Sequence, residues 1–141
     1  MTGRRHVRLV ALAALLLTAL HAPATQAGGP VASSATFRMP SRNAGCTYFA
    51  PTLRCDIRSG LVPVPRARCE LDWTGLSVSG RGRAQPTCAG DTAYDPRAPI
   101  LAYGRTWRRD GITCRSLRTG IHCANRSGRG FDLARGFWLL F

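Results

Sequence analysis

Apolar residues along this chain come in short bursts rather than in long amphipathic stretches. No uninterrupted window of eleven or more residues repeats its apolar positions with the 3.6-residue period of a helix. Runs such as ILAY, GITC, GIHC and FWLLF have the length and composition of strands. Gly, Pro or Asn interrupts the pattern every eight to twelve residues from Pro40 to Gly130, the spacing of short strands joined by tight turns. The pattern predicts strands over 44–49, 52–57, 68–73, 76–81, 99–104, 105–109, 112–117, 120–125, 130–134 and 137–141. AGDTAYDPRAP, residues 89–99, reads as the longest irregular loop. The expected fold is mainly β: a small, disulfide-stapled sandwich or partly open barrel built from short hairpins.

The longest apolar run, LVALAALLLTAL at Leu9–Leu20, stands apart from this pattern. It follows Arg4, Arg5 and Arg8 and precedes the small-residue stretch HAPATQA. A charged start, a short apolar centre and a small-residue cleavage zone are the three parts of a secretory signal peptide. Twelve residues at a rise of about 1.5 Å cannot cross a bilayer core, which argues against a membrane anchor. The expected organisation is a signal peptide over 1–27, cleaved after Ala24 or Ala27, a disordered lead-in over 28–36, and one secreted domain over 37–141. No cysteine lies in the cleavage zone, so a lipid anchor is not expected. The mature chain should be soluble, extracellular or associated with the cell envelope, without a transmembrane segment, and monomeric.

All six cysteines fall in the mature part: Cys46, Cys55, Cys69, Cys88, Cys114 and Cys123. An even number in a short exported chain reads as a disulfide framework. Two stretches, CTYFAPTLRC and CRSLRTGIHC, each run ten residues from cysteine to cysteine, with eight residues between. A two-residue turn at the midpoint places the two cysteines opposite each other on antiparallel strands, within disulfide reach. This pairs Cys46 with Cys55 and Cys114 with Cys123, and leaves Cys69 for Cys88. Each ten-residue loop contributes roughly 2.5 to 3 kcal/mol in the chain-entropy model. That is a large share of the ~5–15 kcal/mol net stability of a small domain. The surroundings of the two hairpins, RNAGCTYFAPTLRCDIRS and RDGITCRSLRTGIHCANRS, suggest a degenerate internal repeat, with chance similarity as the alternative.

Charge changes the picture most. The chain holds 20 arginines, no lysine and seven acids. Setting the three signal arginines aside leaves a mature domain near +10. A GC-rich coding sequence explains why the base is always arginine, but the charge itself still attracts polyanions outside the cell. The sequence SGRG occurs twice, at 79–82 and 127–130, where glycines expose backbone N–H groups beside a guanidinium. Trp107-Arg108-Arg109 sets an aromatic ring beside two cations, although strand alternation turns Trp107 away from Arg108 and into the core. The anion-binding candidates are Arg38, Arg42, Arg81, Arg83, Arg108, Arg109, Arg126 and Arg129.

Catalytic signals are thin. His122 is the mature chain's one histidine, and with Cys123 facing inward it faces solvent. Glu70 and Asp72 share a face of an expected strand, where ion pairs with arginine are the simpler reading than a paired-carboxylate site. Asp91 and Asp95 lack an oxygen-rich calcium-loop motif. No G-x-S-x-G frame is present, and no cysteine pair has metal-site spacing. No catalytic residue, metal or cofactor is expected.

Several stretches together resemble a family of small secreted actinobacterial proteins, the domain of unknown function numbered 6636. They are FRMPSRNAGC at 37–46, RCDI at 54–57, CELDW at 69–73, CAGDT at 88–92, ILAYG at 100–104, ITCRS at 112–116, IHCAN at 121–125 and SGRGFDLARGFWLLF at 127–141. The resemblance covers nearly the whole mature chain. It implies an exported single domain with this cysteine framework, and it carries no activity and no functional residues. Arg42 departs from the family pattern, which usually has Gly there.

The expected function is therefore non-enzymatic: binding of a polyanionic or cell-envelope partner, an anionic envelope polymer or nucleic acid, through arginines. Two rival classes remain at this point. One is a small secreted hydrolase using His122 and acids. The other is a disulfide-rich inhibitor that inserts one cysteine loop into an enzyme. FWLLF is expected as a closing strand buried on both faces, the alternative being a strand packed at one edge that exposes a sticky apolar surface.

Overall fold

The computed structural model describes residues 34–141, so the expected signal peptide and residues 28–33 of the expected lead-in lie outside the described residues. Ten strands are found among them: β1 (Thr36–Arg38), β2 (Ala44–Phe49), β3 (Thr52–Ile57), β4 (Asp72–Ser79), β5 (Gln85–Ala89), β6 (Thr106–Arg109), β7 (Ile112–Leu117), β8 (Gly120–Asn125), β9 (Gly130–Ala134) and β10 (Phe137–Leu140). Within each sheet every strand pairs antiparallel with its neighbour in sequence, and the chain passes from one sheet to the other between β5 and β6. The result is two five-stranded meanders, β1-β2-β3-β4-β5 and β10-β9-β8-β7-β6, packed face to face as an open sandwich and not closed into a barrel.

The two sheets repeat one plan. In each, the second and third strands form the cysteine hairpin, with Cys46 opposite Cys55 and Cys114 opposite Cys123. Disulfides join both pairs, and a third joins Cys69 to Cys88. In each sheet the fourth strand carries a glycine beside the residue after the second cysteine: Gly75 opposite Asp56, and Gly130 opposite Ala124. A Cβ on Gly75 would run into the Cys55 carbonyl oxygen, and one on Gly130 into that of Cys123. Only a residue without a side chain lets these backbones lie so close. The degenerate repeat read between the two hairpins thus coincides with equivalent places in two equivalent sheets.

Alternation assigns the inner faces. Leu53, Cys55, Leu76 and Val78 of the first sheet meet Ile121, Cys123, Phe131 and Leu133 of the second, all at most 1 % exposed. Trp107, fully buried, packs on Phe37 (ring centroids 5.2 Å) and donates its indole N–H to the Ser34 carbonyl at 3.0 Å. It is therefore core, as its alternation against Arg108 requires.

Four strand expectations change. The stretches 68–73 and 76–81 are not two strands. Gly75, read as a turn, lies inside the single strand β4 at a bulge, where its missing side chain admits β3. β5 is absent from the sequence reading, and its Pro86 is tolerated because β5 is an edge. β1 lies partly in the expected lead-in. Residues 99–104 form no strand. Only a single parallel bridge links Ile100 to Arg38, between backbone bonds from Arg38 N to the Pro99 carbonyl and from Leu101 N to the Arg38 carbonyl. The closing strand also differs. β10 is an edge, with Trp138 and Leu140 turned inward and Phe137, Leu139 and Phe141 exposed on the outer face. It is not buried on both sides, because nothing described packs beyond it.

The outer face of the first sheet is covered by the chain itself. Arg54 grips Asp56 through two hydrogen bonds (Nε to Oδ1 2.8 Å, Nη2 to Oδ2 2.7 Å) and Asp91 through two more (Nη1 to Oδ1 2.8 Å, Nη2 to the carbonyl 2.7 Å). Asp56 Oδ2 also accepts the Ala93 N–H at 2.8 Å, and the Thr47 hydroxyl donates to the Ala93 carbonyl at 2.8 Å. This clasp pins the 89–99 loop over the sheet. Burial alone would lower the Arg54 pKa, but the hydrogen bonds to Asp56 and Asp91 outweigh it and hold the guanidinium above its ordinary range. The hydrogen bond from Arg54 holds the Asp91 carboxyl below its ordinary range. A carboxylate shifted downward stabilises the fold above its unfolded pKa, about 4, and the contribution disappears as pH falls through the folded value. Hydrogen-exchange protection of the Ala93 amide should therefore hold at neutral pH and decline below about pH 4. Asp91→Asn should show the loosened loop at pH 7. Equal protection of Ala93 in wild type and Asp91→Asn at pH 7 would sink this account.

Candidate anion-binding site

The eight candidate arginines separate into two groups. Arg38 and Arg42 lie near the start of β2. With Arg58 and Tyr94 they line an open cleft of about 580 Å³, and the Arg58 guanidinium sits 5.4 Å from the Tyr94 ring centre. Arg38 Nε donates to the Ala98 carbonyl at 3.1 Å, so it is partly committed to the fold. Arg42 has a φ of 58°, the left-handed region that favours glycine. Glycine is the residue this turn prefers, and an arginine there carries left-handed strain.

The other six gather at the opposite end of the sandwich. Arg81 and Arg83 lie in the β4–β5 turn, Arg108 and Arg109 on β6, and Arg126 and Arg129 in the β8–β9 turn. β2 and β3, each six residues long, separate the two groups by roughly 17 Å.

One buried side chain holds this end together. Asn125 donates from Nδ2 to the carbonyls of Ser79 (2.8 Å) and Gly82 (2.7 Å). Its Oδ1 accepts the N–H groups of Ser127 (2.9 Å) and Arg129 (3.0 Å). All four bonds of the amide go to the two SGRG turns, one pair to each. The Arg126 N–H adds a longer bond to the Gly80 carbonyl, 3.4 Å. The β6–β7 turn closes the group. A Cβ on Gly80 would meet the Asp110 carbonyl oxygen, and one on Gly111 would meet the Arg126 side chain. Two tetrapeptides 48 positions apart in sequence thereby become neighbours.

In the second SGRG the N–H groups of Ser127, Gly128, Arg129 and Gly130 all have internal acceptors, and in the first the Gly82 N–H donates to the Ser79 hydroxyl. At the second turn the expectation of free backbone donors gives way to one in which the turn positions guanidinium groups. Among the described residues no carboxylate lies within 4.0 Å of Arg81, Arg83, Arg108, Arg126 or Arg129. Arg109 is partly engaged, 4.9 Å from the Tyr48 ring centre and 3.8 Å from Asp110. The Tyr48 hydroxyl bonds to the Asp110 carboxylate, which pushes its pKa above the ordinary phenol range. An open groove of about 570 Å³ runs from this end onto the outer face of the second sheet, between Arg108, Arg109, Thr113, Ala124 and Arg126, with Asp110 as its one acid.

Residues 51–141 match the Family of unknown function (DUF6636). The chain belongs to that family. The matched stretch covers more than half of the chain, from the β2–β3 turn to the C-terminus, and includes five of the six cysteines and the whole second sheet. No curated protein and no solved structure matches the chain. The family thus contributes a shared sequence pattern, and the chemistry has to come from the residues.

His122 faces outward, as its alternation with Cys123 predicts, but it is not simply solvated. Its Nδ1 lies 2.7 Å from Asp132 Oδ1 on β9, and its ring stacks on Phe141 at 5.2 Å between centroids and 10° between planes. Sequence spacing does not single out Asp132, because the contact depends on the β8–β9 register that sets it opposite His122. Glu70 and Asp72 do not form a carboxylate pair on one strand. Glu70 precedes β4 and lies 3.6 Å from Arg68, both exposed. Asp95 lies 3.8 Å from Arg97.

Proposed function

We propose that this is an exported, non-enzymatic domain that binds a polyanionic or envelope-associated partner through the arginines of the SGRG end. The observation that carries this reading is the Asn125 clamp. It brings Arg81, Arg83, Arg126 and Arg129 together from two distant turns, with Asp110 the one acid on the three converging turns. A charge excess scattered by codon usage alone has no reason to be tied together by a buried amide with all four bonds satisfied.

Counterion release makes the affinity for such a partner fall steeply with salt. The double variant Arg81→Ser/Arg129→Ser should bind an anionic polymer about tenfold or more weakly and lower the log–log salt slope by about two. Arg42→Ser, at the other end, should leave both unchanged. Equal losses from the two variants would mean that net charge, and not this site, does the binding.

The hydrolase reading draws support from the His122–Asp132 contact, yet Glu70 pairs with Arg68, and among the described residues no second acid–base group bonds to His122. The inhibitor reading needs a projecting cysteine loop. Both ten-residue loops here are tight hairpins with their disulfides fully buried between the sheets.

A further inference from the structure

The two equivalent sheets differ in what lies on their outer faces. On the first, Arg54, the residue before the second cysteine of its hairpin, is met by Asp56, Asp91 and the 89–99 loop. On the second, the equivalent residue is His122, and its surroundings are open: Arg108, Arg115, Phe137 and Leu139 are exposed, and the His122 and Phe141 rings are partly so. Register sets Arg115 directly opposite His122 on one side and Asp132 on the other. Asp132 is the one acid of this rung, and it is engaged by His122.

The aromatic pair is fixed in place. Asp132 holds the plane of the His122 ring. Phe141 is anchored by two backbone bonds to Gly130, from Phe141 N to the Gly130 carbonyl (3.0 Å) and from Gly130 N to the Phe141 carbonyl (2.9 Å). Gly130 is the last residue of the second SGRG turn, so the stacked rings begin where the arginine cluster ends. Arg115 lies on the next strand, directly opposite His122, and Arg108 lies on the same outer face two strands from His122 and two residues further along, with strands about 4.8 Å apart.

A polymer of bare charges would need only the arginines. Flat rings held in a stack beside a run of guanidinium groups suit a polymer that carries both charges and flat rings. Building on the anion-binding reading above, we infer that the ligand is single-stranded nucleic acid, with phosphates on the SGRG-end arginines and a base extending the Phe141–His122 stack. Base–aromatic stacking tolerates any base, so the expected binding is strong in salt dependence and weak in sequence preference. A duplex keeps its bases stacked inside and offers this face nothing beyond its phosphates.

The test compares two labelled probes in one buffer by fluorescence anisotropy: a single-stranded oligodeoxythymidylate, and inorganic polyphosphate of matched charge. Phe141→Ala should weaken the oligonucleotide at least about fivefold and leave polyphosphate within about twofold. Phe141→Trp should restore or tighten oligonucleotide binding. His122→Ala removes the other ring without touching the C-terminal strand and should act in the same direction, and thermal melting checks that each variant is folded. Arg81→Ser/Arg129→Ser should weaken both probes. If Phe141→Ala and His122→Ala weaken both probes equally, or neither, the stacking inference is wrong while the arginine site stands. If the wild-type protein binds neither probe, both readings fall.

Discussion

Replacing Asp56 by alanine is expected to destabilise the domain by about 3–5 kcal/mol, the loss typical of breaking a buried ion pair from one side. Asp56 is 2 % exposed and satisfies three donors at once: two from Arg54 and the Ala93 amide. Without it, the Arg54 guanidinium stays mostly buried with only the largely exposed Asp91 opposite, and the Ala93 N–H has no acceptor. Each orphaned group carries its own desolvation cost. In a domain of about 5–15 kcal/mol, such a loss leaves a fold close to its limit. The midpoint of urea unfolding measures it. Asp56→Asn, which keeps the shape and one acceptor, should lose less than Asp56→Ala. A change below about 1 kcal/mol for Asp56→Ala would show that the clasp is an ornament of the surface and not a support.

Gly130→Ala should rank with it, at about 3 kcal/mol or more, the upper end of overpacking. The added methyl would overlap the Cys123 carbonyl oxygen and lie 2.8 Å from the Ala124 Cα. Both are backbone atoms held by the β8–β9 ladder and the Cys114–Cys123 disulfide, so neither can swing aside as a side chain would. Gly136→Ala is the control. Its φ is 74° with nothing within 4 Å of the new methyl, so only left-handed backbone strain of about 1–2 kcal/mol applies. Equal losses at Gly130 and Gly136 would place the cost in backbone conformation and not in the close approach of the strands.

Much of this architecture is legible in the sequence wherever a rule is local. The two cysteine hairpins, β2–β3 and β7–β8, follow from an even spacing and a central turn, and β9 follows from alternation. The reading fails where the deciding partner is distant. Gly75 looks like punctuation because its reason, the Cys55 carbonyl, lies on another strand. FWLLF looks buried on both faces because five apolar residues say nothing about whether another layer covers the outer face of β10. The candidate site divides the same way. The arginines and both SGRG turns stand out in the sequence, but that Asn125 joins them, and that Phe141 rather than Trp107 supplies the exposed ring, depends on how the two sheets meet.

Because every strand pairs only with its neighbour in sequence, each sheet can assemble from successive hairpins without waiting for distant parts of the chain. Packing the two sheets face to face still joins distant parts of the chain, but each hairpin closes a short loop at little entropic cost. The same holds for oxidation. Cys46 meets Cys55, and Cys114 meets Cys123, within nine positions of chain, while the third pair spans 19. The hairpins that shape the sheets thus also select partners among the fifteen connectivities open to six cysteines. A chain that emerges unfolded and reduced into an oxidising compartment can reach its native bonds by short-range collision, with little need for disulfide reshuffling.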